Sequence, residues 1–380
     1  MRFSDLQPAY QDFLRDLLTR LDFDPDRFLI DPCADDEMFY RGVLPGYPNR
    51  AGAALFRYIE SALRTFDVYR QIVDHIGGFE QLDRVLDFGS GHGRLTRALV
   101  HRMDRRRIWV CDIYPSAVAW QAESFGVNGL VSVSDPDLFG LQQVHDLVFS
   151  ASVFSHFPQQ LFERWLMRLF ELVSPRGLLA FSVHDAALAP MDHSLNADGI
   201  AYGGWSESQT LDASIYGMSY VTPGFVLAAI TKACGPERAA AARRFPQGLF
   251  ENQDLWIVPQ AGADIQMLNL RIRPVGGFVG RPRPGEWSGW GIDPNVGAQI
   301  VKADLYVGER HVQTATPSAD NDSILRFFPG APNIGVSWRF PREISRDRGL
   351  LRVELTSSTG MTAQCYASGE QLEAGAILRS

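Results

Sequence analysis

Residues 84–94 read RVLDFGSGHGR, and this stretch decides the fold. A short apolar run, typical of a buried strand, leads into glycines at alternate positions, and helical periodicity begins at Leu95. Glycines at such a turn adopt backbone dihedrals closed to other residues, and they let a ligand approach the main chain beside a helix N-terminus. The stretch therefore predicts a strand–loop–helix unit that binds a nucleotide-like ligand on its loop.

Acidic residues around the loop narrow the choice of ligand. Asp112 ends the next predicted strand, at the spacing expected of an acid that accepts hydrogen bonds from ribose hydroxyls. A dinucleotide fingerprint needs Gly or Ala where this chain has Arg94, and Asp87 would repel a pyrophosphate. A P-loop is excluded because no Gly-Lys-Ser/Thr follows. The sulfonium and amino-acid portion of S-adenosylmethionine (SAM) suits an acidic loop better.

The same stretch resembles the first motif of class I SAM-dependent methyltransferases, in the DFGxGHGR form of a bacterial branch. The resemblance covers about Pro45 to Pro259. Within it, later segments resemble the second-strand acid, the loop after the third strand, the fourth strand with its following turn, and the turn before the fifth strand: residues 110–114, 134–137, 146–157 and 172–179.

The resemblance implies a methyltransferase with SAM as its cofactor. It implies that Asp87 and Gly89 face the methionyl part, that Asp112 binds the ribose and that Asp135 contacts the adenine. It also assigns further residues to the cofactor site, namely Ser90, Gly91, Gly93, Ile113 and Ser150.

Histidine is the natural base where a hydroxyl or amine acceptor must lose a proton near neutral pH. His156 follows the predicted fourth strand. His184 ends the fifth strand beside Asp185, which could orient it or raise its pKa. We expect His156 or His184 to act as the base or to hold the acceptor; the alternative for both is a hydrogen-bonded lining of the pocket.

Two later fragments, residues 216–223 and 252–254, also resemble this bacterial branch. Their side chains Tyr216, Gln253 and Asp254 could hydrogen-bond a polyhydroxylated acceptor, or they could cap strand ends and form turns.

The order of apolar patterns predicts the architecture. Amphipathic helices precede residue 80, and short apolar runs then alternate with helical segments. Residues 274–294 are dense in glycine and proline, and the strands predicted after them, from residue 300 on, include several with period-two alternation. We predict an α/β fold with a Rossmann-like, seven-stranded methyltransferase sheet. Its domains are an N-terminal helical cap (1–80), a SAM-binding methyltransferase domain (81–261) and a C-terminal all-β sandwich (262–380).

The C-terminal region resembles immunoglobulin-like modules appended to bacterial glycosyltransferases and methyltransferases, on the segment 330–340. That resemblance implies an acceptor from cell-surface polysaccharide chemistry. Trp287 and Trp290 could stack on sugar rings, or they could pack the junction of the module.

Composition excludes several classes of protein. The chain has 380 residues, 46% of them hydrophobic, and a formal net charge of −8, which argues against nucleic acid or an anionic membrane as a partner. The sequence has neither an apolar signal core nor an apolar stretch long enough to span a bilayer, and its four cysteines are scattered. We therefore expect a cytoplasmic protein without a disulfide framework, and the spacing of His, Asp and Glu predicts no metal site.

Taken together, the sequence predicts a bacterial SAM-dependent methyltransferase that methylates an oxygen of a sugar, glycan or related small molecule. The alternative is a non-catalytic SAM- or glycan-binding protein of a polysaccharide assembly. A nicotinamide-dependent reductase is disfavoured by Asp87 and Arg94. The sequence leaves the oligomeric state open.

Overall fold

The computed structural model of the protein describes residues 1–190, 193–204, 206, 208, 210–250, 252–279, 286–295, 297–317, 337–341 and 350–368. Contacts divide the chain into two units. The α/β unit consists of Asp31–Pro45 and Ser61–Leu270, and the β unit consists of Met1–Ile30, Gly46–Glu60 and Arg271–Ser380.

The α-helices of the described residues are α1 Pro8–Arg20, α2 Ala51–His75, α3 Thr96–Leu99, α4 Pro115–Phe125, α5 Gln159–Glu171, α6 Pro223–Cys234 and α7 Pro236–Ala241. In the α/β unit the strands are β1 Val85–Phe88, β2 Ile108–Asp112, β3 Asn128–Val131, β4 His145–Ser150, β5 Val173–Asp185, β6 Ile200–Gly203, β7 Met218–Val221, β8 Arg243–Leu249 and β9 Gln253–Pro259. In the β unit they are β10 Val275–Val279, β11 Glu286–Ile292, β12 Ile300–Val307, β13 Arg310–Ala315, β14 Ser337–Pro341, β15 Leu350–Ser357 and β16 Thr362–Ser368.

The sheet of the α/β unit is mostly parallel, as the alternation of strands and helices predicts. Strands β3, β2, β1, β4 and β5 lie side by side in parallel, and β9 and β8 follow in antiparallel pairing. Central strands such as β1 are buried on both faces because helices cover them. Helix α5 contributes an apolar stripe of Phe162, Trp165, Leu166, Leu169 and Phe170 to this core.

Among the described residues the sheet has nine strands, two more than the seven predicted. The additional strands are β6 and β7, an antiparallel hairpin whose second strand runs parallel to the end of β5. Each has only four residues, too few to show a period-two pattern, and the sequence after Ser194 has no clear periodicity of apolar residues.

The parallel strands bring chemically active residues to one edge. Gly89, Asp112 and Ser150 lie at or just after the carboxyl ends of β1, β2 and β4, and β5 ends at Asp185. This edge is where ligands bind in open α/β sheets.

In its described residues the β unit has two antiparallel sheets, β10–β11–β14 and β13–β12–β15–β16, as predicted for an all-β region. Buried residues of both sheets form one hydrophobic cluster, which includes Val275, Trp290, Leu305, Val353 and Cys365. Trp290 is 3% exposed there, so it packs the core and is not an exposed sugar-stacking platform. The side chain of Trp287 and residues 330–336 of the resembling segment lie outside the described residues.

Helix α1 belongs to the β unit. The Phe13 ring lies 5.6 Å from the Tyr366 ring, and the Tyr366 hydroxyl donates to the Asp16 carboxylate. The first half of α2 adds Phe56, whose ring lies 5.3 Å from Tyr366. Contacts thus group α1 with the C-terminal strands, whereas the division at residues 80 and 261 remains a prediction about independent folding.

Residues that follow Gly262 also belong to the α/β unit. The Arg243 guanidinium on β8 donates to the carbonyls of Ile265 and Gln266 at 3.1 and 3.0 Å, and also to that of Leu268. This places the end of the unit at Leu270. Among the described helices none is long and apolar enough to cross a membrane.

Candidate functional site

The glycine loop is tied to the end of β2 by backbone hydrogen bonds. The amides of Gly89 and Ser90 both donate to the Cys111 carbonyl, at 2.8 and 3.1 Å, and the Gly91 amide donates to Oδ2 of Asp112 at 2.7 Å. The φ angles of Gly89, Gly91 and Gly93 are +74°, +54° and +72°, in the left-handed region that favours glycine. The alternate glycines therefore fold the loop back over β2.

The three glycines have different surroundings. A Cβ on Gly89 would collide with Cγ2 of Val153, and one on Gly93 would lie 2.7 Å from Cε2 of Phe125. A Cβ on Gly91 would meet no described atom within 4 Å. Gly89 and Gly93 are thus required for packing, whereas Gly91 leaves room for a ligand.

Gln121 of α4 donates hydrogen bonds to the glycine loop, a role that the sequence analysis did not predict. It is fully buried, and its amide donates to Oγ of Ser90 at 2.8 Å and to the Gly91 carbonyl at 2.7 Å. Its Oε1 accepts from the Thr96 hydroxyl at 2.7 Å. The one available signal was a glutamine on the apolar face of α4. Because the Ser90 hydroxyl is held here, the predicted contact of Ser90 with the cofactor remains a prediction.

Two buried carboxyl groups lie at the mouth of the loop. Burial, and then the charge of Asp112, raise the pKa of Asp87 to about 7, while the Arg94 guanidinium opposes this rise. Burial also raises the pKa of Asp112, opposed by the N–H groups of Tyr114 and Gly91 that donate to it. Ionisation of both acids is therefore unfavourable until a cation or hydroxyl donors arrive. This arrangement, together with the open space at Gly91, fits a cofactor that carries both a positive charge and a ribose.

Other predicted cofactor residues lie at the same edge with different surroundings. Ile113 follows Asp112 and is partly buried. Ser150 is fully buried, and its hydroxyl has no hydrogen-bond partner among the described residues. Asp135 is half-exposed and forms an ion pair with Arg164, which also contacts Asp137 at 2.7 Å. A contact of Asp135 with an adenine ring therefore remains a prediction.

His156 lies in a short 3-10 turn after β4 and is 4% exposed. Its Nδ1 lies 2.6 Å from the Gly217 carbonyl, and its ring stacks on Tyr216 at 4.5 Å. A carbonyl oxygen only accepts, so Nδ1 carries the proton and the lone pair of the neutral ring is on Nε2. The ring therefore has the tautomer that a base needs.

His184 lies near His156, with 6.5 Å between the ring centroids. Burial, and then the charge of His156, lower the pKa of His184 to about 4. The expectation that Asp185 orients this ring or raises its pKa is wrong. Successive residues of a strand face opposite sides, and Asp185 instead pairs with Arg244.

The predicted acceptor residues separate into two groups. Gln253 lies beside His184, with its Nε2 3.2 Å from the histidine Nε2, and Tyr216 stacks on His156. Asp254 faces the other way, where it accepts from Nε of Arg244 at 2.6 Å and from the Gln247 amide at 3.0 Å. Asp254 is thus part of an ion-pair network, and its predicted role toward an acceptor is left as a prediction.

Strand register places Ser182 and His184 on the face of the sheet that carries Asp87. Asp87 pairs with Phe149, and Phe149 pairs with Ala180. Alternation along β5 then puts Ser182 and His184 on that face. The acidic mouth of the loop and the histidines therefore share one side of one edge. Among the described residues no group of three or more His, Cys, Asp or Glu could hold a metal ion.

Comparison with known proteins agrees with this geometry. Residues 86–179 match the family model described as "Methyltransferase domain". The chain is 26% identical over 129 residues to malonyl-[acyl-carrier protein] O-methyltransferase 1 of Ilyobacter polytropus, a match that covers 31% of this chain and 47% of that protein. The chain thus spans about half the length of this curated relative.

Solved structures give partial likenesses. One is 1,6-didemethyltoxoflavin-N1-methyltransferase of Burkholderia thailandensis, with 17% identity and a TM-score of 0.36, covering 60% of this chain and 92% of that one. Another is an amino pentose methyltransferase of Micromonospora echinaspora, with 14% identity and a TM-score of 0.38, covering 54% and 92%. The match over residues 86–179 confirms the prediction of a methyltransferase domain.

Proposed function

We propose that this chain transfers a methyl group from SAM to an oxygen of a neutral, polyhydroxylated small molecule such as a sugar or a glycan intermediate. The observation that carries the proposal is the tautomer of His156, a buried histidine with its lone pair on Nε2, at the edge of the sheet that carries the glycine loop.

The cofactor site of the proposal consists of the loop and its two acids. Bound SAM supplies an electrophilic methyl group on a sulfonium. The Asp112 carboxylate retains lone pairs beyond those used by the Gly91 and Tyr114 amides, which suits ribose hydroxyls. Asp87 offers a buried negative charge to the cationic, amino-acid end, and Gly91 leaves room for close approach.

Alignment is the first contribution that the chain would make, since holding reactants in line can supply about 7–11 kcal/mol. The second would be proton removal by His156 from an acceptor hydroxyl as the carbon–oxygen bond forms. Gly217 and Tyr216 would hold the imidazole in place for this step.

The curated relative supports oxygen as the methylated atom, and the residues around the histidines support a neutral acceptor. The curated relative is named as an O-methyltransferase. Around the histidines the described side chains are uncharged or aromatic: Ser152, Ser182, Gln253, Tyr216 and Tyr220. Arg244, the nearby cation, is held by Asp185 and Asp254 on the opposite face of the strands.

The finer assignments belong to the same proposal. The two antiparallel sheets of the β unit would be an immunoglobulin-like sandwich, and the acceptor would come from the polysaccharide chemistry of a bacterial cytoplasm. The resemblance of residues 330–340 supports both.

The direct test is transfer of a labelled methyl group from SAM to a panel of neutral glycosides, nucleotide sugars and malonyl thioesters. We expect label in a neutral sugar, released only by cleavage of an ether. Label in the thioester alone would make the acceptor a carboxylate. SAM binding without transfer to any acceptor in a cell lysate would favour the non-catalytic alternative.

The role of His156 has its own test. His156→Asn retains an N–H for the Gly217 carbonyl but has no basic nitrogen, so we expect turnover to fall by about 10²–10⁴-fold with SAM affinity unchanged. His311→Ala, in the β unit, is the control and should leave turnover unchanged. A loss below tenfold for His156→Asn would exclude His156 as the base.

A further inference from the structure

Gln253 is the centre of a buried polar network next to the two histidines. It is 3% exposed. Its Oε1 lies 2.6 Å from the Ser182 hydroxyl, and its Nε2 lies 2.8 Å from the Ser152 hydroxyl and 3.2 Å from Nε2 of His184. Three strand ends thus meet at one amide, because these partners follow β4 or belong to β5 and β9.

The orientation of the Gln253 amide follows from the network. The Ser182 hydroxyl accepts from the Ser152 amide at 2.7 Å, so its own hydrogen is available to donate to Oε1 of Gln253. The amide nitrogen of Gln253 then faces the Ser152 hydroxyl and His184, and it donates to both. The lone pair on Nε2 of His184 is therefore occupied by an N–H donor.

The rest of the His184 surroundings also disfavours a charge on its ring. His184 is 8% exposed, and its Nδ1 is buried without a hydrogen-bond partner among the described residues. Burial and the charge of His156 lower the pKa of the ring and outweigh the backbone of Ser219, which raises it. The ring stacks on Tyr220 at 5.3 Å, and His193 contacts the same tyrosine at 5.7 Å. His156 lies 6.5 Å from His184 in an edge-on arrangement.

The acidic residues near His184 in the sequence do not stabilise a positive charge on its ring. Asp185 and Asp254 lie on the other side of β5 and β9, where both are paired with Arg244. Asp87 shares the face of His184 but lies two strands away, on β1. No described carboxylate contacts the His184 ring.

From this arrangement we propose that Gln253 is a positioning residue: its N–H holds His184 as a neutral ring protonated on Nδ1, so that His156 alone takes the proton of the acceptor. The inference rests on the proposed function, since it concerns the base of that same site. A base becomes cationic when it accepts a proton, and a second cation 6.5 Å away would reduce its proton affinity. Keeping His184 neutral therefore preserves the basicity of His156.

Gln253→Glu is the informative variant, because a carboxylate accepts where the amide donates. We expect Glu at this position to take a hydrogen bond from Nε2–H of His184 and to stabilise the cationic ring. Gln260→Glu is the matched control, since it makes the same substitution just past the other end of β9, where the Gln260 amide donates to the Phe170 carbonyl at 3.4 Å.

The first readout is nitrogen NMR of the histidine-labelled full chain, which needs neither cofactor nor acceptor. We expect wild-type His184 to be neutral from pH 5 to 8 with its proton on Nδ1, and to be cationic at pH 7 in Gln253→Glu. A proton on Nε2 in the wild type, or titration near pH 6.5, would overturn the inference. If Gln253→Glu does not fold, Gln253→Met, which lacks the donor but keeps the size, tests the same hydrogen bond: we expect a neutral His184 whose proton is no longer confined to Nδ1, and a proton still confined to Nδ1 would overturn the inference.

The second readout is the pH dependence of turnover. Gln253→Glu should lower kcat by about 10–100-fold and move the limb assigned to the base about one pH unit lower, with KM for the acceptor nearly unchanged. Gln260→Glu should leave the limb in place. A cationic His184 with an unmoved limb would contradict the inference, whereas the expected NMR result without any methyl transfer to oxygen would contradict the proposed function alone.

Discussion

At Asp87, the structure predicts a conflict between stability and binding. Its pKa of about 7 in the folded chain lies well above the ordinary value, so the folded state binds more protons than the unfolded state between about pH 4 and 7. Its contribution to stability is therefore present at low pH and lost as pH rises through 7. Asp87→Asn should remove this penalty, worth up to about 4 kcal/mol at pH 8, and raise the melting temperature there.

The pH dependence of that difference is the check. Burial lowers the pKa values of His145 and His184 to about 4. Their contribution to the free energy of unfolding therefore changes in the opposite direction, since it is lost as pH falls below about 6.5. Subtracting wild type from Asp87→Asn cancels both histidines, and the gain should grow from near zero at pH 4 to a plateau above pH 7. A gain that does not vary with pH would mean that Asp87 is not protonated in the folded chain. SAM binding should be lost in the variant.

At the scale of the loop, a pair of glycine-to-alanine variants can distinguish loss of space for the cofactor from backbone strain. Gly91 and Gly126 have φ of +54° and +70°, and an added Cβ would meet nothing at Gly91 and only Arg105, at 3.6 Å, at Gly126. Alanine at either position should cost roughly 1–2 kcal/mol through left-handed strain. Calorimetry should show that Gly91→Ala weakens SAM binding at least tenfold, whereas Gly126→Ala leaves it intact. Equal affinities for the two variants would mean that the cofactor does not approach Gly91.

The elements that the sequence predicted well are those whose signal is local. The strand, the alternate glycines and Asp112 appear where residues 84–112 predict them, because glycine dihedrals and strand burial depend on near neighbours. The segment 275–292, dense in glycine and including Trp290, was not predicted as strands, yet it forms β10 and β11. Strand β11 lies between β10 and β14, and the second of these partners is distant in the chain, so no local pattern indicates it.

The parts of the site that sequence could not supply depend on tertiary contact. Gln121 acts on the loop only because α4 packs beneath it. Ser152, with φ of +60°, joins Gln253 from 101 residues away. Asp185 was expected to serve His184, but alternation along β5 turns it toward Arg244. In each case the function of a polar side chain depends on which face it occupies.

At the scale of the whole molecule, the contacts of Arg243 predict where the chain can be shortened. Ending it at Leu270 keeps the Ile265, Gln266 and Leu268 carbonyls that accept from the guanidinium, whereas ending it at Pro259 removes all three. We expect residues 1–270 to bind SAM within about threefold of the full chain, and residues 1–259 to melt at a clearly lower temperature because a partly buried cation loses its partners. Indistinguishable melting of the two fragments would move the end of the α/β unit back to residue 259.

The central claim is that residues 85–94 and Asp112 form a SAM site, and calorimetric titration of the full chain tests it most directly. We expect SAM and its demethylated product S-adenosylhomocysteine to bind and NAD to give no measurable heat. Asp112→Ala should weaken SAM binding by roughly ten- to 150-fold, the usual value of hydrogen bonds to a charged group, while the exposed Asp137→Ala should not. Binding of NAD, or an unchanged SAM affinity in folded Asp112→Ala, would contradict the account.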